Sequence, residues 1–276
     1  MKFIFFGTDG FSVVVLETLK TAGLLPVGIV TAPDRPKGRG LLLAPSRVKV
    51  WAQENAIPIL QSEALEIKPD LFVVASYGLI LPPHLLAIPT HGALNLHPSL
   101  LPKYRGATPI ESQILADEKE MGVSIIRMDE EMDHGPVIAR TGLKVRNADG
   151  EVPRASEVRK ICAREGGALL AEVMPKWVAG EIEAEPQDDA HATYTKKFVK
   201  SNGEINLSED AYKNLLKIRA FDGGIGTYFF KNGVRVVIKD ADVREGKLTI
   251  TRVVPEGKRE MGYEEFLRGL ASSARS

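Results

Sequence analysis

The chain has 276 residues, 44% hydrophobic and 26% charged, with 36 basic and 36 acidic side chains and no net charge. Those values exclude a disordered, collagenous or fibrous chain, argue against a generic nucleic-acid binder, and suggest one large domain or two unequal ones. The single cysteine, Cys162, excludes an internal disulfide framework and a cysteine-based zinc cluster.

No apolar run approaches the roughly 18–20 residues of a membrane helix, so no membrane span is expected. The opening run Lys2–Phe6 is broken by Gly7-Thr8-Asp9 with no small-residue cleavage site after it, which argues against a signal peptide. The cytoplasm is therefore the expected compartment. Charge is unevenly spread: residues 1–195 carry 20 Lys and Arg against 25 Asp and Glu, and residues 196–276 carry 16 against 11. A basic C-terminal part fits a polyanionic partner, or merely a solvated surface.

In chain order, Lys2–Phe6 reads as a buried strand and Phe11–Thr21 as a helix, with Asp9 or Ser12 as its cap. Val27–Val30 follows as a strand. Thr31–Arg47, rich in Pro, Gly and Arg, reads as a long loop. A short helix is expected over Val48–Glu54, and strands at Pro58–Leu60 and Asp70–Ala75. Pro82–Ala87 reads as a helical turn, Ala93–His97 as a strand closing on Pro98, and Thr108–Ala116 as a helix. Strands follow at Val123–Met128 and Pro136–Val145, then a long helix within Glu151–Gly180. This alternation implies an α/β fold with a doubly wound, mostly parallel sheet, whose ligands bind beyond the carboxyl ends of the strands.

The texture changes after residue 180. Glu181–Lys197 is polar and linker-like, and Ser208–Phe221 has helical spacing. Three β-rich runs follow, Thr227–Lys231, Val234–Lys239 and Lys247–Val253, with the hairpin dipeptide Asn232-Gly233 between the first two. A smaller C-terminal β-barrel is the natural reading. The expected organisation is a catalytic domain at 1–180, a linker at 181–200 and the barrel domain at 201–276.

Four segments carry chemistry. Gly7-Thr8-Asp9-Gly10 lacks the spacing of a dinucleotide fingerprint and reads as a tight strand-to-helix turn. Asn95 and His97 lie two apart, on one face of a strand. Such a pair can polarise a carbonyl and move a proton, or be a buried polar pair satisfied by backbone. Asp129-Glu130-Glu131-Met132-Asp133-His134-Gly135 supplies a carboxylate, Asp133, that could orient His97 or accept a proton, or is a solvated acidic loop. A metal site from His97, Asp133 and His134 is disfavoured, because no histidine pair has the helical spacing of a metal motif. Positions 33–49 set five basic residues against one acidic one, a pattern for phosphate contact or a solvated loop.

Asn95-x-His97 and Asp133, with the tract Pro98-Ser99-Leu100-Leu101-Pro102 and Gly106-x-x-Pro109, resembles the 10-formyltetrahydrofolate-dependent formyltransferases. Phe5-Phe6-Gly7-Thr8, the segment Thr31–Gly40, Tyr77–Pro82 and Ile218–Phe221 are similar to one branch, the methionyl-tRNA formyltransferase family. The resemblance implies a Rossmann-like formyltransferase domain with an OB-like barrel that binds tRNA. It implies transfer of a formyl group from 10-formyltetrahydrofolate to the α-amino group of initiator methionyl-tRNA, releasing tetrahydrofolate. Asn95, His97 and Asp133 would be catalytic: Asn95 and a protonated His97 would stabilise the oxyanion, and Asp133 would support His97 and pass a proton. Ser99, Leu100, Leu101 and Pro102, with Leu79, Ile80, Leu81, Asp129 and Met132, would bind the folate. Arg35, Lys37, Arg39 and Gly40 would meet the tRNA. No metal is implied, and a monomer is expected. Two departures stand out: Leu41-Leu42-Leu43 replaces lysines after Gly40, and Asp222–Gly226 replaces an Asn-Pro-x-Pro segment. The competing readings are formyl transfer to an amino-sugar nucleotide or to glycinamide ribonucleotide, and a catalytically silent folate- or RNA-binding module.

Overall fold

Short runs in which every side chain is apolar become strands buried on both faces when helices cover a parallel sheet. Strands β1 (Phe3–Phe6), β2 (Gly28–Val30) and β5 (Leu71–Val74) are of this kind, buried along their whole length. The computed structural model describes residues 1–37, 42–61, 67–146, 148 and 150–273. The chain forms two compact units. The first comprises Met1–Gly106, Glu120–Lys144 and Arg159–Tyr194, and the second Ala107–Lys119, Val145–Val158 and Thr195–Ser276.

The first unit is built on a six-stranded sheet in the order β2-β1-β5-β6-β7-β8. Strands β6 (Ala93–His97), β7 (Met121–Arg127) and β8 (Val137–Leu143) complete it. The pairs β1–β2, β1–β5 and β5–β6 are parallel, whereas β6–β7 and β7–β8 are antiparallel. The sheet is thus doubly wound with an antiparallel margin: β8 returns beside β7 through the loop between them, and β7 runs antiparallel to β6 although α4 lies between the two in the chain. The chain order reverses between β1 and β5, the switch point at which such sheets open a crevice.

Local chemistry fixes that switch point. Asp9 caps α1 (Gly10–Thr21), accepting from the backbone of Phe11 and Ser12 at 3.0 and 3.3 Å. Ser12 Oγ accepts from Thr8 N at 3.0 Å and donates to Ala75 O at 2.6 Å, lacing the first turn to the end of β5. A side chain at Gly7 would collide with Phe5 and Ser12, so this turn needs glycine for close approach, not for phosphate binding.

Thr31–Arg47 is not a featureless loop. It contains an antiparallel pair, β3 (Arg35–Lys37) and β4 (Leu42–Ala44), with Arg35 opposite Ala44. Proline at 36 is tolerated there because each of these two strands has one partner only. Helix α2 (Arg47–Glu54) follows, capped by Ser46. Pro58–Leu60 contributes only a bridge at Ile59 to Ile29. Helix α3 is the turn Pro83–Leu86.

Helix α5 (Ala155–Val178) covers the back of β6. A Cβ at Gly166 would lie 2.5 Å from Leu96 Cδ1, so the missing side chain sets how closely the helix approaches. Cys162 is fully buried on this helix, and burial pushes its thiol up to about 12, which suits packing and not reactivity.

In the second unit, β9 (Thr227–Lys231), β10 (Val234–Arg244), β11 (Lys247–Pro255) and β12 (Met261–Gly262) form an antiparallel sheet in the order β12-β11-β10-β9. Asn232 and Gly233 both have positive φ, 51° and 77°, the hairpin turn that dipeptide favours. No pairing joins β12 to β9 among the described residues, so the sheet is not closed as a barrel. Helix α6 (Ala211–Ala220) packs on this sheet and on α4 (Pro109–Leu115), which therefore groups with the second unit although it lies early in the chain. Helix α7 (Tyr263–Ser273) was not expected from the sequence. It inserts Phe266 into the core formed by Ile218, Phe229, Val236 and Val253. Residues 181–194 of the expected linker belong to the first unit, where Glu185 makes a bridge to Val137.

Replacing Gly166 by leucine is expected to lower the thermal midpoint. Overpacking against buried Leu96 costs about 1–3 kcal/mol, more than the gain of up to about 1 kcal/mol in helix propensity. Calorimetry of the variant checks this, and an unchanged or raised midpoint refutes it.

Candidate active site

Strand alternation sends Leu94 and Leu96 to one face of β6 and Asn95 and His97 to the other. Asp133 arrives from the loop after β7 and joins the two. Asn95 Nδ2 donates to Asp133 Oδ1 at 3.2 Å, and His97 Nδ1 lies 3.4 Å from Asp133 Oδ2. The backbone N–H of Gly106 donates to the same Oδ2 at 2.7 Å. The His97 and Asp133 side chains are only 5% and 13% exposed, so the cluster is shielded from water. His97 Nε2 lies 2.9 Å from Tyr104 O; a carbonyl only accepts, so this nitrogen carries a proton. The ring is thereby aimed, with Nδ1 toward the carboxylate.

Asp133 has φ of +53°, a conformation uncommon outside glycine but more accessible to Asp and Asn. At Gly135 a Cβ would sit 1.9 Å from Arg127 O, so only glycine lets the loop lie this close to β7. His134 Nδ1 pairs with Asp129 at 2.7 Å, and its Nε2 lies 3.5 Å from Asp189.

The tract between His97 and Gly106 is held from below. Ser124 Oγ donates to Ser99 O at 2.7 Å and accepts from Leu101 N at 3.0 Å. Ser99 donates to Lys103 O at 2.7 Å, and Leu101 is buried with Ile126 and Val137. The Ser99 and Leu101 side chains are thus committed to the fold, and Leu100 and Pro102 stay partly open. Leu81 is likewise buried, in the core with Phe6, Phe72 and Tyr77. Leu79, Ile80 and Met132 are exposed. Asp129 is engaged by His134 and by Glu131 N.

A cavity of about 450 Å³ opens at the carboxyl ends of β1, β2 and β5. Thr8, Asp9, Arg35, Arg47, Ser76 and Leu79 are among its lining residues. Ala32, Pro33, Arg35 and Pro36, with Ala44, Pro45, Ser46 and Arg47, line one side of the crevice, and Arg35 and Arg47 are exposed. Lys49 pairs with Asp34 at 2.9 Å, which removes one of the basic groups counted in the sequence. Arg39 and Gly40 lie outside the described residues, as does the side chain of Lys37.

Sequence reasoning missed Arg105 and residues 187–194. Arg105 is fully buried and donates to Gln187 Oε1 from Nε and Nη2, at 3.1 and 2.8 Å, and to Asp189 at 2.7 Å. Burial lowers its pKa, but the bonds to Asp189 and Tyr194 prevail and raise it above the ordinary arginine value. A buried arginine has no periodic signature, and nothing in Glu181–Lys197 distinguishes Gln187 from a solvated residue. Among the described residues, no group of three or more His, Cys, Asp or Glu side chains is placed to hold a metal ion. No described helix is long and apolar enough to cross a membrane.

Residues 1–161 match the formyl transferase family. A methionyl-tRNA formyltransferase of Chloroflexus aggregans is 38% identical, covering 95% of this chain and 87% of that one. The chain belongs to the methionyl-tRNA formyltransferase family. A second relative of that name, from Dictyoglomus thermophilum, is 36% identical across 98% of this chain and 97% of its own. Among solved structures, a methionyl-tRNA formyltransferase from Clostridium thermocellum has a TM-score of 0.63 at 17% identity, covering 92% of this chain and 98% of that one. A 4-N formyltransferase from Francisella tularensis has a TM-score of 0.64 at 19% identity, covering 91% and 96%. Both likenesses are of fold.

The His134–Asp129 pair gives the site a pH-dependent brace. The hydrogen bond to Asp129 raises the His134 pKa above its ordinary 6.5, against a smaller opposing effect of burial. A raised folded pKa stabilises the charged form, so the contribution is complete below pH 6.5 and fades as pH rises through the folded value. The difference in thermal midpoint between wild type and His134→Asn should be largest below pH 6.5 and shrink to a pH-independent remainder in alkali. A difference independent of pH refutes the ion pair as its source.

Proposed function

We propose that the chain transfers the formyl group from N10 of 10-formyltetrahydrofolate to the α-amino group of initiator methionyl-tRNA, giving N-formylmethionyl-tRNA for translation initiation. The observation that carries this reading is the convergence of Asn95, His97 and Gly106 N on one Asp133 carboxylate.

The amine nitrogen attacks the formyl carbon, and the carbonyl electron pair moves to oxygen. Asn95 Nδ2 has two hydrogens and uses one on Asp133, which leaves the other for the oxyanion. The second donor to the oxyanion is Nδ1–H of His97, whose long 3.4 Å contact with Asp133 Oδ2 is given up while Nε2–H stays on Tyr104 O, in a shielded site where such bonds are worth more than in water. Asp133 accepts the proton released by the amine. Collapse of the tetrahedral intermediate breaks the bond to N10, which takes up that proton as tetrahydrofolate leaves. The protein donors polarise the carbonyl, so the reading assigns no role to a metal.

The folate is given to Leu79 and Ile80, the backbone of Asp129 and Met132, and the partly open Leu100 and Pro102, with Leu81, Ser99 and Leu101 holding these segments in place from the core. Exposed Leu79, Ile80 and Met132 offer the apolar surface a pterin ring would cover. The acceptor end of the tRNA is given to the cavity walled by Arg35 and Arg47, with Lys37, Arg39 and Gly40 on the same segment. The C-terminal domain, 201–276, is read as the phosphate-binding part, with exposed Lys239, Arg244, Lys247, Lys258 and Arg259. We read the protein as a monomer working in the cytoplasm.

The deciding assay offers purified protein 10-formyltetrahydrofolate with charged initiator methionyl-tRNA, an amino-sugar nucleotide and glycinamide ribonucleotide in parallel. Formylation of the tRNA is expected; transfer only to a small amine, or no transfer, refutes the reading. Asn95→Ala should lower kcat by about 10²–10³-fold, the usual cost of one oxyanion donor. Wild-type turnover by that variant would remove Asn95 from the chemistry. Phosphate contacts release counterions, so tRNA affinity should fall steeply between low and moderate salt. A flat salt dependence contradicts the role given to residues 201–276.

A further inference from the structure

The mechanism uses the Asp133 carboxylate and leaves open what holds its backbone. A left-handed residue between Met132 and Gly135 is not the resting conformation of such a sequence, and it persists only where its surroundings over-determine it. Gln187 supplies that determination. Its Nε2 donates to Asp133 O and to Gly135 O, each at 2.8 Å, spanning the turn on either side of His134.

The orientation of the Gln187 amide is not free. Arg105 has donors only, and two of them, Nε and Nη2, face Gln187 Oε1 at 3.1 and 2.8 Å. The flipped amide would set its NH₂ against the guanidinium and its oxygen against two carbonyls. All four hydrogen-bonding positions of Gln187 are therefore used, and only one arrangement satisfies them. Arg105 is fixed in turn by Asp189 at 2.7 Å and by the Tyr194 hydroxyl at 3.1 Å.

The same stretch of chain reaches the other side of the trio. Glu185 exchanges two backbone hydrogen bonds with Val137, at 2.7 and 2.8 Å. At its far end, Thr193 accepts from Arg105 N through its carbonyl and from Tyr104 N through Oγ1, both at 2.8 Å. Tyr104 presents the carbonyl that aims His97, and Gly106 presents the N–H that meets Asp133. One segment, Glu185–Tyr194, thus braces both backbone turns that converge on Asp133 and His97.

We propose that Gln187, aimed by Arg105, is a positioning residue for formyl transfer, holding Asp133 so that its carboxylate meets Asn95 and His97. The proposal rests on the function given above. Gln187 touches no reacting atom, so its effect passes through Asp133 and should disappear when Asp133 has lost its carboxylate.

The test measures kcat and KM for both substrates in Gln187→Leu, Asp133→Asn and the double variant, beside wild type. Gln187→Leu keeps the size and removes the amide. It should lower kcat by about tenfold to a hundredfold, the scale of a displaced reacting group, with both KM values within about twofold of wild type. In the Asp133→Asn background the same change should cost nothing further. An equal loss in both backgrounds, or none in either, overturns the proposal. Gln187→Glu is the second variant, because it keeps a partner for Arg105 and loses the two donors. It should match Gln187→Leu in kcat, and wild-type turnover by it overturns the proposal even where the leucine variant does not fold. The wild-type lane separates the two readings. Formylation by wild type with unaffected Gln187 variants removes only the positioning role, whereas no formylation by wild type removes both.

Discussion

One shielded carboxylate organises the candidate site of this protein. Asp133 receives Asn95 and Gly106 as donors and faces the ring of His97, and a charge so shielded is stable only with its hydrogen-bonding positions filled. Meeting that requirement brings the loop of Asp133 to a strand and the tight turn that follows it, 38 and 27 residues away in the chain. The strand supplies two side chains on one face because β-structure alternates. The turn supplies a backbone donor because Gly106 ends it. The loop supplies the carboxylate because Gly135 lets it lie against β7. Loss of any one of these supports leaves a shielded carboxylate with fewer partners than its oxygens can accept, which costs more than the single contact removed.

The sheet gives this cluster its place. At the switch between β1 and β5, Thr8, Asp9 and Ser12 tie the first turn to the end of β5, and Thr8 Oγ1 donates to Tyr77 O at 2.9 Å. The crevice beyond those strand ends is therefore bordered by rigid backbone and by side chains already engaged in hydrogen bonds. The pair β3–β4 adds Arg35, Pro36 and Ala44 to the lining of that crevice, and Arg47 at the start of α2 adds a second arginine. The cavity and the Asn95–His97–Asp133 cluster thus both depend on strand ends, where side chains are fixed by the core.

Polar segments also serve as structure. Residues 185–194 have no apolar periodicity, yet they close around a fully buried arginine and pin two turns of the site. Their stability comes from satisfied hydrogen bonds and not from burial of apolar surface. In the second unit, by contrast, α7 contributes as a hydrophobic clamp through Phe266, and Arg154 links Asp222 and Asp240 as a polar tie. Arg235 lies over the Tyr228 ring, 3.9 Å from its centre, so some of the positive charge of the C-terminal part is tied to the fold.

Much of this was legible in the sequence by itself. Apolar runs of four marked the strands, because parallel strands are buried on both faces. Asn232-Gly233 marked a hairpin, because both residues accept positive φ. Asn95-x-His97 marked two polar side chains on one face, because alternation in a strand is independent of the rest of the fold. Tertiary structure alone decided the antiparallel margin of the sheet, the strand pair within 31–47, the open C-terminal sheet with α7 against it, and the grouping of α4 with the second unit. These follow from which surfaces meet, and local periodicity does not encode that. It also decided that Ser99, Leu81 and Leu101 serve the core while Arg105 and Gln187 serve the site. A lone arginine and a lone glutamine have no period; they lie 82 residues apart in the chain, and the other partners of Gln187 are 54 and 52 residues away.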